Sequence, residues 1–221
     1  MHEGAVSTRV GLAGIPLSSE QMGLSRIHAL QNDTEVKCCA LPIGAAKTIG
    51  STIDMLCAAT ARSLLLSDAA IERDLYNPSL YILPPLRDNP EGLVVAVKQK
   101  QIQMIFSDHT PLTRVEQDCE FALSTPGAMG VETALSVAYT AVRDLPVLWD
   151  AMCFTPARFL GLSKRLHVGS NADIVLFDPN VEWIPSAPFR SKGINEPLIG
   201  ETLFGRICAV FIDRYTQVYG D

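Results

Sequence analysis

The stretch MIFSDHTPL, residues 104–112, runs from apolar side chains straight into an aspartate, a histidine and a proline. Its apolar part ends the run QIQMIFS, residues 101–107, which has polar residues on both sides. An apolar run of this length predicts a strand. In parallel α/β proteins the reactive side chains lie at the carboxyl ends of strands, and the pattern puts Asp108 at that position.

Strand and helix patterns alternate on either side of this stretch. A second strand-length run is EVKCCAL (35–41), and helical patterns occupy IPLSSEQMGLSRIHAL (15–30), GVETALSVAYTAVRD (130–144) and TPARFLGL (155–162). Alternating strands and helices imply a parallel sheet with covered faces. Beyond Leu162, short β runs are separated by Gly, Asn and Asp turns. We therefore predict an α/β fold for residues 1–162 and a small β domain for residues 163–221.

Composition excludes several classes of function. The net charge of −6 argues against nucleic acid or an acidic membrane as the main partner. No apolar stretch reaches the roughly 18 residues of a membrane-spanning helix, and the first residues lack the pattern of a signal peptide. The six cysteines show no C-x-x-C spacing, so we expect reduced thiols in a cytoplasmic chain.

Asp108 by itself leaves two interpretations open. A carboxylate at the end of a strand can bind a metal or act as a general base toward a metal-bound water. An aspartate at a strand-to-loop transition can equally cap a turn or a helix. A zinc ion needs three or four converging ligands, whereas the chain has four histidines and no H-x-H pair.

Seven segments, taken in order, carry a resemblance that covers nearly the whole chain. They are EGAVSTRVGLAGIPLSSE (3–20), PPLRDNPEGL (84–93), SDHTPL (107–112), STPGAMGVETALS (124–136), TPARFLGL (155–162), VGSNADIVLFDP (168–179) and SKGINEPLIGETLFGRICAVFIDRYTQVYG (191–220). Together they resemble the second half of class I dihydroorotases, which belong to the cyclic amidohydrolase superfamily.

The resemblance implies a fold and a chemistry. That family combines a (β/α)₈ TIM barrel with a small β domain and interconverts carbamoyl-aspartate and dihydroorotate at a zinc site, in pyrimidine biosynthesis. Residues 1–162 would form barrel strands 6–8 with their helices, and residues 163–221 the small β domain. The crossover from Leu41 to a strand near Ile53 looks about one helical turn shorter than the family's.

Few of the family's site residues are present. The motif D-H-A-P-H corresponds to residues 108–112, so the resemblance makes Asp108 a surviving base and metal-ligand position, while Leu112 replaces a substrate-contacting histidine. The zinc-binding histidine of H-V-S-T corresponds to Ala40, which has no lone pair for a metal. Of the substrate contacts, the loop Pro126-Gly127 is retained.

Two further motifs have changed. The motif P-H-H-L corresponds to Ala61-Arg62-Ser63-Leu64, so an arginine and a serine replace both histidines. In N-P-P-L-R the asparagine that holds substrate corresponds to Leu83. The resemblance therefore implies a site in which most metal and substrate residues are absent.

These departures leave three interpretations. The favoured one is a catalytically inactive dihydroorotase-like protein that is a structural partner of aspartate carbamoyltransferase and binds no zinc by itself. The alternative is a zinc-dependent dihydroorotase whose N-terminal half is missing or supplied by another chain. A second alternative is a truncated gene remnant. Half a barrel would expose two strand edges and could not close alone.

Overall fold

Three parallel strands form the sheet that carries the candidate site. They are β1 (Cys39–Ala40), β2 (Leu56–Thr60) and β3 (Met104–Phe106), in the spatial order β1-β2-β3. Cys39 pairs with Leu56, and Ala58 pairs with Met104. The computed structural model describes residues 1–34, 36–51, 55–162, 166–213 and 215–219.

Helices and short helical turns connect and cover these strands. The α-helices are α1 (Ala5–Val10), α2 (Leu17–Thr34), α3 (Ala69–Arg73), α4 (Pro90–Lys98), α5 (Arg114–Gln117), α6 (Ala134–Val142), α7 (Leu145–Trp149) and α8 (Thr155–Phe159). The 3₁₀ segments are Ala46–Ser51, Arg62–Leu64, Pro78–Leu80 and Phe121–Leu123, and a π-helical turn, Asp150–Phe154, joins α7 to α8. Mixed parallel strands and helices confirm the predicted α/β class.

Local chemistry accounts for helix α4. The Asn89 side chain accepts a hydrogen bond from the Gly92 backbone N–H, and Pro90 occupies the first turn, where its missing N–H is not needed. Leu93 and Val97 lie one turn apart and are buried against the sheet layer. The helix thus begins at a cap and is held by an apolar stripe.

The core lies where the small side chains of β2 meet the helices. Cys57 and Ala59 are buried on the strand, and their small volume lets larger side chains from the flanking elements pack closely. Those larger side chains include Ile43, Leu64, Leu93, Val97, Ile105, Val137 and Leu148.

A second sheet follows α8 along the chain. It is antiparallel and contains β4 (Asp173–Trp183), β5 (Leu203–Ile212) and β6 (Tyr215–Val218), in that spatial order. The Phe177 ring makes edge contacts with Tyr139 at 5.4 Å and Trp149 at 6.1 Å between ring centroids. Gly205 has a φ of +81° directly beneath that ring. The aromatic cluster therefore attaches the antiparallel sheet to α6 and α7.

The strand expected near Ile53 falls on a residue outside the described ranges, and β2 begins at Leu56. Within the described residues, every helix is too short or too polar to cross a membrane.

Candidate functional site

Asp108 lies two residues beyond β3, at the carboxyl end of the parallel sheet. Its φ is +48°, in the left-handed region that aspartate tolerates better than most residues. One carboxylate oxygen, Oδ2, is 3.4 Å from Nη1 of Arg62. Asp108 therefore lies at the carboxyl end of the strand, as the sequence predicts, and its nearest charged partner is the guanidinium of Arg62.

Arg62 begins the 3₁₀ turn directly after β2, so its side chain reaches the end of the neighbouring strand β3. Its Nη2 donates to the carbonyl oxygens of Ser107 at 2.7 Å, Asp108, and Ala128 at 3.4 Å. Burial lowers the pKa of the guanidinium, and the carboxylates of Asp108 and Glu196 oppose that shift. A guanidinium keeps its proton under these conditions, so the site holds a fixed positive charge.

His109 is engaged by backbone groups. Its Nδ1 accepts from the N–H of Gly130 at 3.2 Å and of Val131 at 3.4 Å. Its Nε2 is 3.5 Å from the hydroxyl oxygen of Ser191. These contacts fix the ring between the β3 loop and the start of the turn that leads to α6, which is a structural role.

The retained Pro126-Gly127 loop lies against the segment that follows β3. Gly127 has a φ of +151°, and an added Cβ would lie 2.6 Å from Cγ2 of Thr110. Its N–H donates to the carbonyl of Tyr81 at 2.8 Å, and its carbonyl accepts from Asn195 at 3.0 Å. Pro126 is exposed. The substrate contact implied for this loop stays a prediction, and both backbone polar groups of Gly127 have partners within the chain.

Three positions that the sequence comparison assigned to the site carry apolar side chains. Ala40 ends β1 and is fully buried. Leu112 is also buried, and its N–H donates to the side-chain oxygen of Asn195 at 2.8 Å. Leu83 is half exposed. None of these three side chains offers a lone pair or a polar hydrogen to a ligand.

Asn195 and Glu196 are site residues that sequence reasoning missed. The Asn195 amide donates to the carbonyls of Thr110 at 2.9 Å and Gly127 at 3.0 Å. The Glu196 carboxylate accepts from the Thr133 hydroxyl and from the Leu198 N–H, both at 3.2 Å. Burial raises the pKa of Glu196 to about 7. The one available signal was a polar Asn-Glu pair inside the otherwise apolar stretch GINEPLIG.

A second buried ion pair secures the neighbouring loops. Nη2 of Arg87 lies 3.1 Å from Oε2 of Glu20, and both side chains are largely buried. The other oxygen of Glu20 accepts from the Gly44 N–H at 2.9 Å and from the Thr48 hydroxyl at 2.8 Å. Glu20 on α2 therefore ties the loop that follows β1 to the loop that contains Arg87.

The residues present do not fit a zinc ion. In the described part of the chain, three or more His, Cys, Asp or Glu side chains nowhere converge as a ligand group. Asp108 was predicted from the sequence as the remaining metal-ligand position, and the Arg62 guanidinium lies 3.4 Å from its Oδ2.

Comparison with known sequences identifies relatives. No protein-family model matches the chain. A dihydroorotase-like protein from Pseudomonas aeruginosa is 34% identical over 233 residues, covering 99% of this chain and 53% of that protein. A dihydroorotase from Thermoanaerobacter sp. is 32% identical over 231 residues, covering 96% of this chain and 52% of that protein.

Solved structures show the same fold. An L-hydantoinase (dihydropyrimidinase) from Arthrobacter aurescens has a TM-score of 0.82 and 21% identity, covering 93% of this chain and 51% of that chain. A D-hydantoinase (dihydropyrimidinase) from Thermus sp. has a TM-score of 0.79 at the same identity and coverage. The chain spans about half the length of the curated relatives it matches. By sequence it belongs with the dihydroorotases and dihydroorotase-like proteins of the amidohydrolase superfamily.

Proposed function

We propose that this chain is a dihydroorotase-like protein of pyrimidine biosynthesis that does not catalyse the reaction and serves as a structural partner of aspartate carbamoyltransferase. The observation that carries the proposal is the contact between Arg62 and Asp108. A general base needs a carboxylate that faces water or substrate. Here 30% of the Asp108 side chain is exposed, but its Oδ2 lies 3.4 Å from the buried Arg62 guanidinium and so shares that oxygen with a fixed positive charge. Ala40, at the position that corresponds to a zinc-binding histidine, has no donor atom.

The hydrogen bonds and ion pair that hold the loops around the site are present, whereas most of the expected metal and substrate residues are not. Asn195 joins the segment after β3 to the Gly127 loop, and Glu20 joins α2 to the loops near Gly44 and Arg87. Each of these contacts satisfies buried polar groups that would otherwise destabilise the fold. A protein whose role is to bind a partner needs this framework but has no need of zinc ligands.

A docking role is supported by the edges of the parallel sheet. Strands β1 and β3 are its outer strands, and among the described residues each pairs on one side only. Unpaired edges of this kind accept further strands. We propose that these edges are covered by the rest of a (β/α)₈ barrel, from the same polypeptide or another, as part of a complex with aspartate carbamoyltransferase.

A second candidate function follows from the same edges. If a second barrel half supplies metal ligands and substrate contacts, the assembled protein would be a zinc-dependent dihydroorotase. The half-length match to proteins named dihydroorotase favours this candidate. Arg62 and Ala40 weigh against it, because a second barrel half would still leave the guanidinium beside Asp108 and would still leave position 40 without a donor atom.

All six cysteines are free thiols, which suits our proposal of a cytoplasmic protein.

The proposal is tested by measuring zinc content and dihydroorotase activity of the chain alone and after mixing with aspartate carbamoyltransferase. We expect a defined complex by size-exclusion chromatography, without turnover and without stoichiometric zinc. Turnover accompanied by one zinc ion or more per chain would contradict it and favour the second candidate. Failure to form any complex would overturn the assignment of the partner.

A further inference from the structure

Oxygen atoms converge at the carboxyl end of β3. They are the backbone carbonyl oxygens of Ser107, Asp108 and Ala128 and the Oδ2 atom of Asp108. Three of these atoms belong to Ser107 and Asp108 in the segment after β3, and the fourth is the carbonyl oxygen of Ala128, which follows Gly127. Carbonyl and carboxylate oxygens gathered in this way are the ligand type that hard cations take in proteins.

The cation that faces these oxygens is the Arg62 guanidinium. Nη1 lies 3.4 Å from Oδ2 of Asp108, and Nη2 donates to the three carbonyls. The Arg62 side chain is 4% exposed. Nη2 carries two hydrogens and already faces three acceptors, so this nitrogen has no proton left to donate to a substrate carboxylate. Nη2 of Arg62 is therefore committed to the chain's own carbonyl oxygens.

We infer that the Arg62 guanidinium is the built-in cation of this site and takes the position that a divalent ion at Asp108 would have to occupy. The inference deepens the proposed function and rests on it, since Asp108 is free to pair with Arg62 only in a protein that does not use it as a metal ligand. Under this inference the end of β3 is held to the Ala128 loop by an arginine and needs no metal.

Charge balance supports this assignment. The carboxylates of Asp108 and Glu196 both act on the Arg62 guanidinium. A divalent ion at Oδ2 would lie within a few ångströms of that fixed positive charge, in a partly buried place where repulsion is poorly screened. Removing Arg62 would instead leave the three carbonyls and the carboxylate without a positive partner. A chain with Arg62 should therefore reject divalent ions that a chain without it accepts.

The first test uses Mn²⁺, because Mn²⁺ prefers oxygen ligands and the free thiols would compete for zinc. The full chain and Asp108→Asn are titrated with Mn²⁺, and the free ion is measured by electron paramagnetic resonance. We expect both proteins to bind the same amount of Mn²⁺ at submillimolar concentrations. One Mn²⁺ ion per chain that binds the full chain and is lost in Asp108→Asn would overturn the inference.

The second test removes the guanidinium. Arg62→Met keeps the length and apolar character of the side chain, and Arg114→Met removes the same charge from an exposed position on α5. We expect Arg62→Met to lower the melting temperature by several degrees, and 1 mM Mn²⁺ to restore part of that loss only in this variant. Equal stability of Arg62→Met and Arg114→Met would contradict the inference.

If Arg62→Met does not fold, Arg62→Lys supplies the measurement. It keeps the charge but loses the planar fork that reaches several oxygens at once, so we expect a smaller fall in melting temperature and still no Mn²⁺ uptake. Uptake by Arg62→Lys equal to one ion per chain would count against a charge-based exclusion. Dihydroorotase turnover without Mn²⁺ uptake would refute the proposed function and leave this inference standing. Mn²⁺ uptake that depends on Asp108, without turnover, would refute this inference and leave the proposed function standing.

Discussion

The Arg62 guanidinium lies 3.4 Å from the Asp108 carboxylate, although 46 residues separate the two along the chain. The two side chains are unequally buried, with 4% of the Arg62 side chain and 30% of the Asp108 side chain exposed. Water can therefore replace Arg62 as a partner of Asp108 more easily than it can replace Asp108 and the carbonyls as partners of Arg62. This asymmetry determines how substitutions at the pair should behave.

Asp108→Asn should be tolerated. The amide oxygen still accepts a hydrogen bond from Arg62, and the three carbonyls continue to hold the guanidinium, so we expect the free energy of unfolding to fall by about 1 kcal/mol. Urea denaturation measures the change, and size-exclusion chromatography checks that the complex with aspartate carbamoyltransferase is retained. Asp118→Asn, at an exposed position after α5, is the matched control. Collapse of the complex would show that the Asp108 charge is structurally required.

Glu196 should make stability depend on pH. Burial raises its pKa to about 7 in the folded chain, above the ordinary glutamate value of 4.5. The folded state therefore binds this proton more tightly than the unfolded state. Its stabilising contribution is complete below about pH 4.5 and is lost as the pH rises through about 7, amounting to about 3 kcal/mol.

The variant Glu196→Gln tests this dependence because its amide stays neutral at every pH. We expect the variant to match the parent chain near pH 4 and to be the more stable of the two at pH 8, by up to about 3 kcal/mol in urea denaturation. Glu91→Gln, on the exposed side of the first turn of α4, controls for loss of a surface charge. An identical difference between variant and parent at both pH values would contradict the assignment.

Gly205→Ala should be strongly destabilising. The added Cβ would lie 2.1 Å from Cζ of Phe177, and the backbone φ of +81° strains any side chain. We expect a loss of about 3 kcal/mol, since both overpacking and backbone strain contribute. Thermal unfolding measures it. Gly23→Ala in helix α2 meets no atom within 4 Å and should instead stabilise the chain by about 0.5–1 kcal/mol.

Asn195→Ala should loosen the two segments that this side chain joins. It removes three hydrogen bonds, to the Thr110 carbonyl, the Gly127 carbonyl and the Leu112 N–H, from a fully buried position. We expect a loss of about 2–3 kcal/mol because buried polar groups are left without partners. Hydrogen exchange should show faster exchange of the Leu112 amide. Unchanged protection of that amide, or an equal effect of Asn180→Ala on the exposed surface of β4, would rule out the clamp.

Local sequence patterns correctly predicted helix α2 and strand β3. The spacing of Leu24, Ile27 and Leu30 predicts a helix, and α2 spans Leu17–Thr34. Only Leu24 of these three is buried, however, because burial depends on which elements pack against a helix and not on its own period. The apolar run before Asp108 likewise predicts a strand, and β3 lies within it.

The candidate site could be predicted in part. Placing Asp108 at the carboxyl end of a strand needed only the run that precedes it, since strand direction follows chain direction. The partner of Asp108 was not predictable in this way, because Arg62 carries no local signature of a buried ion pair. Glu196 gave equally little warning, since its raised pKa arises from burial among residues distant in sequence.

The remaining contacts depend on the path of the backbone. Asn195 reaches Thr110 and Gly127 across 85 and 68 residues, and Arg62 reaches Asp108 because β2 and β3 are neighbours in the sheet. A local sequence pattern can predict whether a segment is a helix or a strand and which of its faces is apolar, because both depend on residues a few positions apart. Pairing between distant side chains is decided by strand order and register. For this chain, the sequence places Asp108 at the end of a strand, and the tertiary structure decides that the Arg62 guanidinium lies against it.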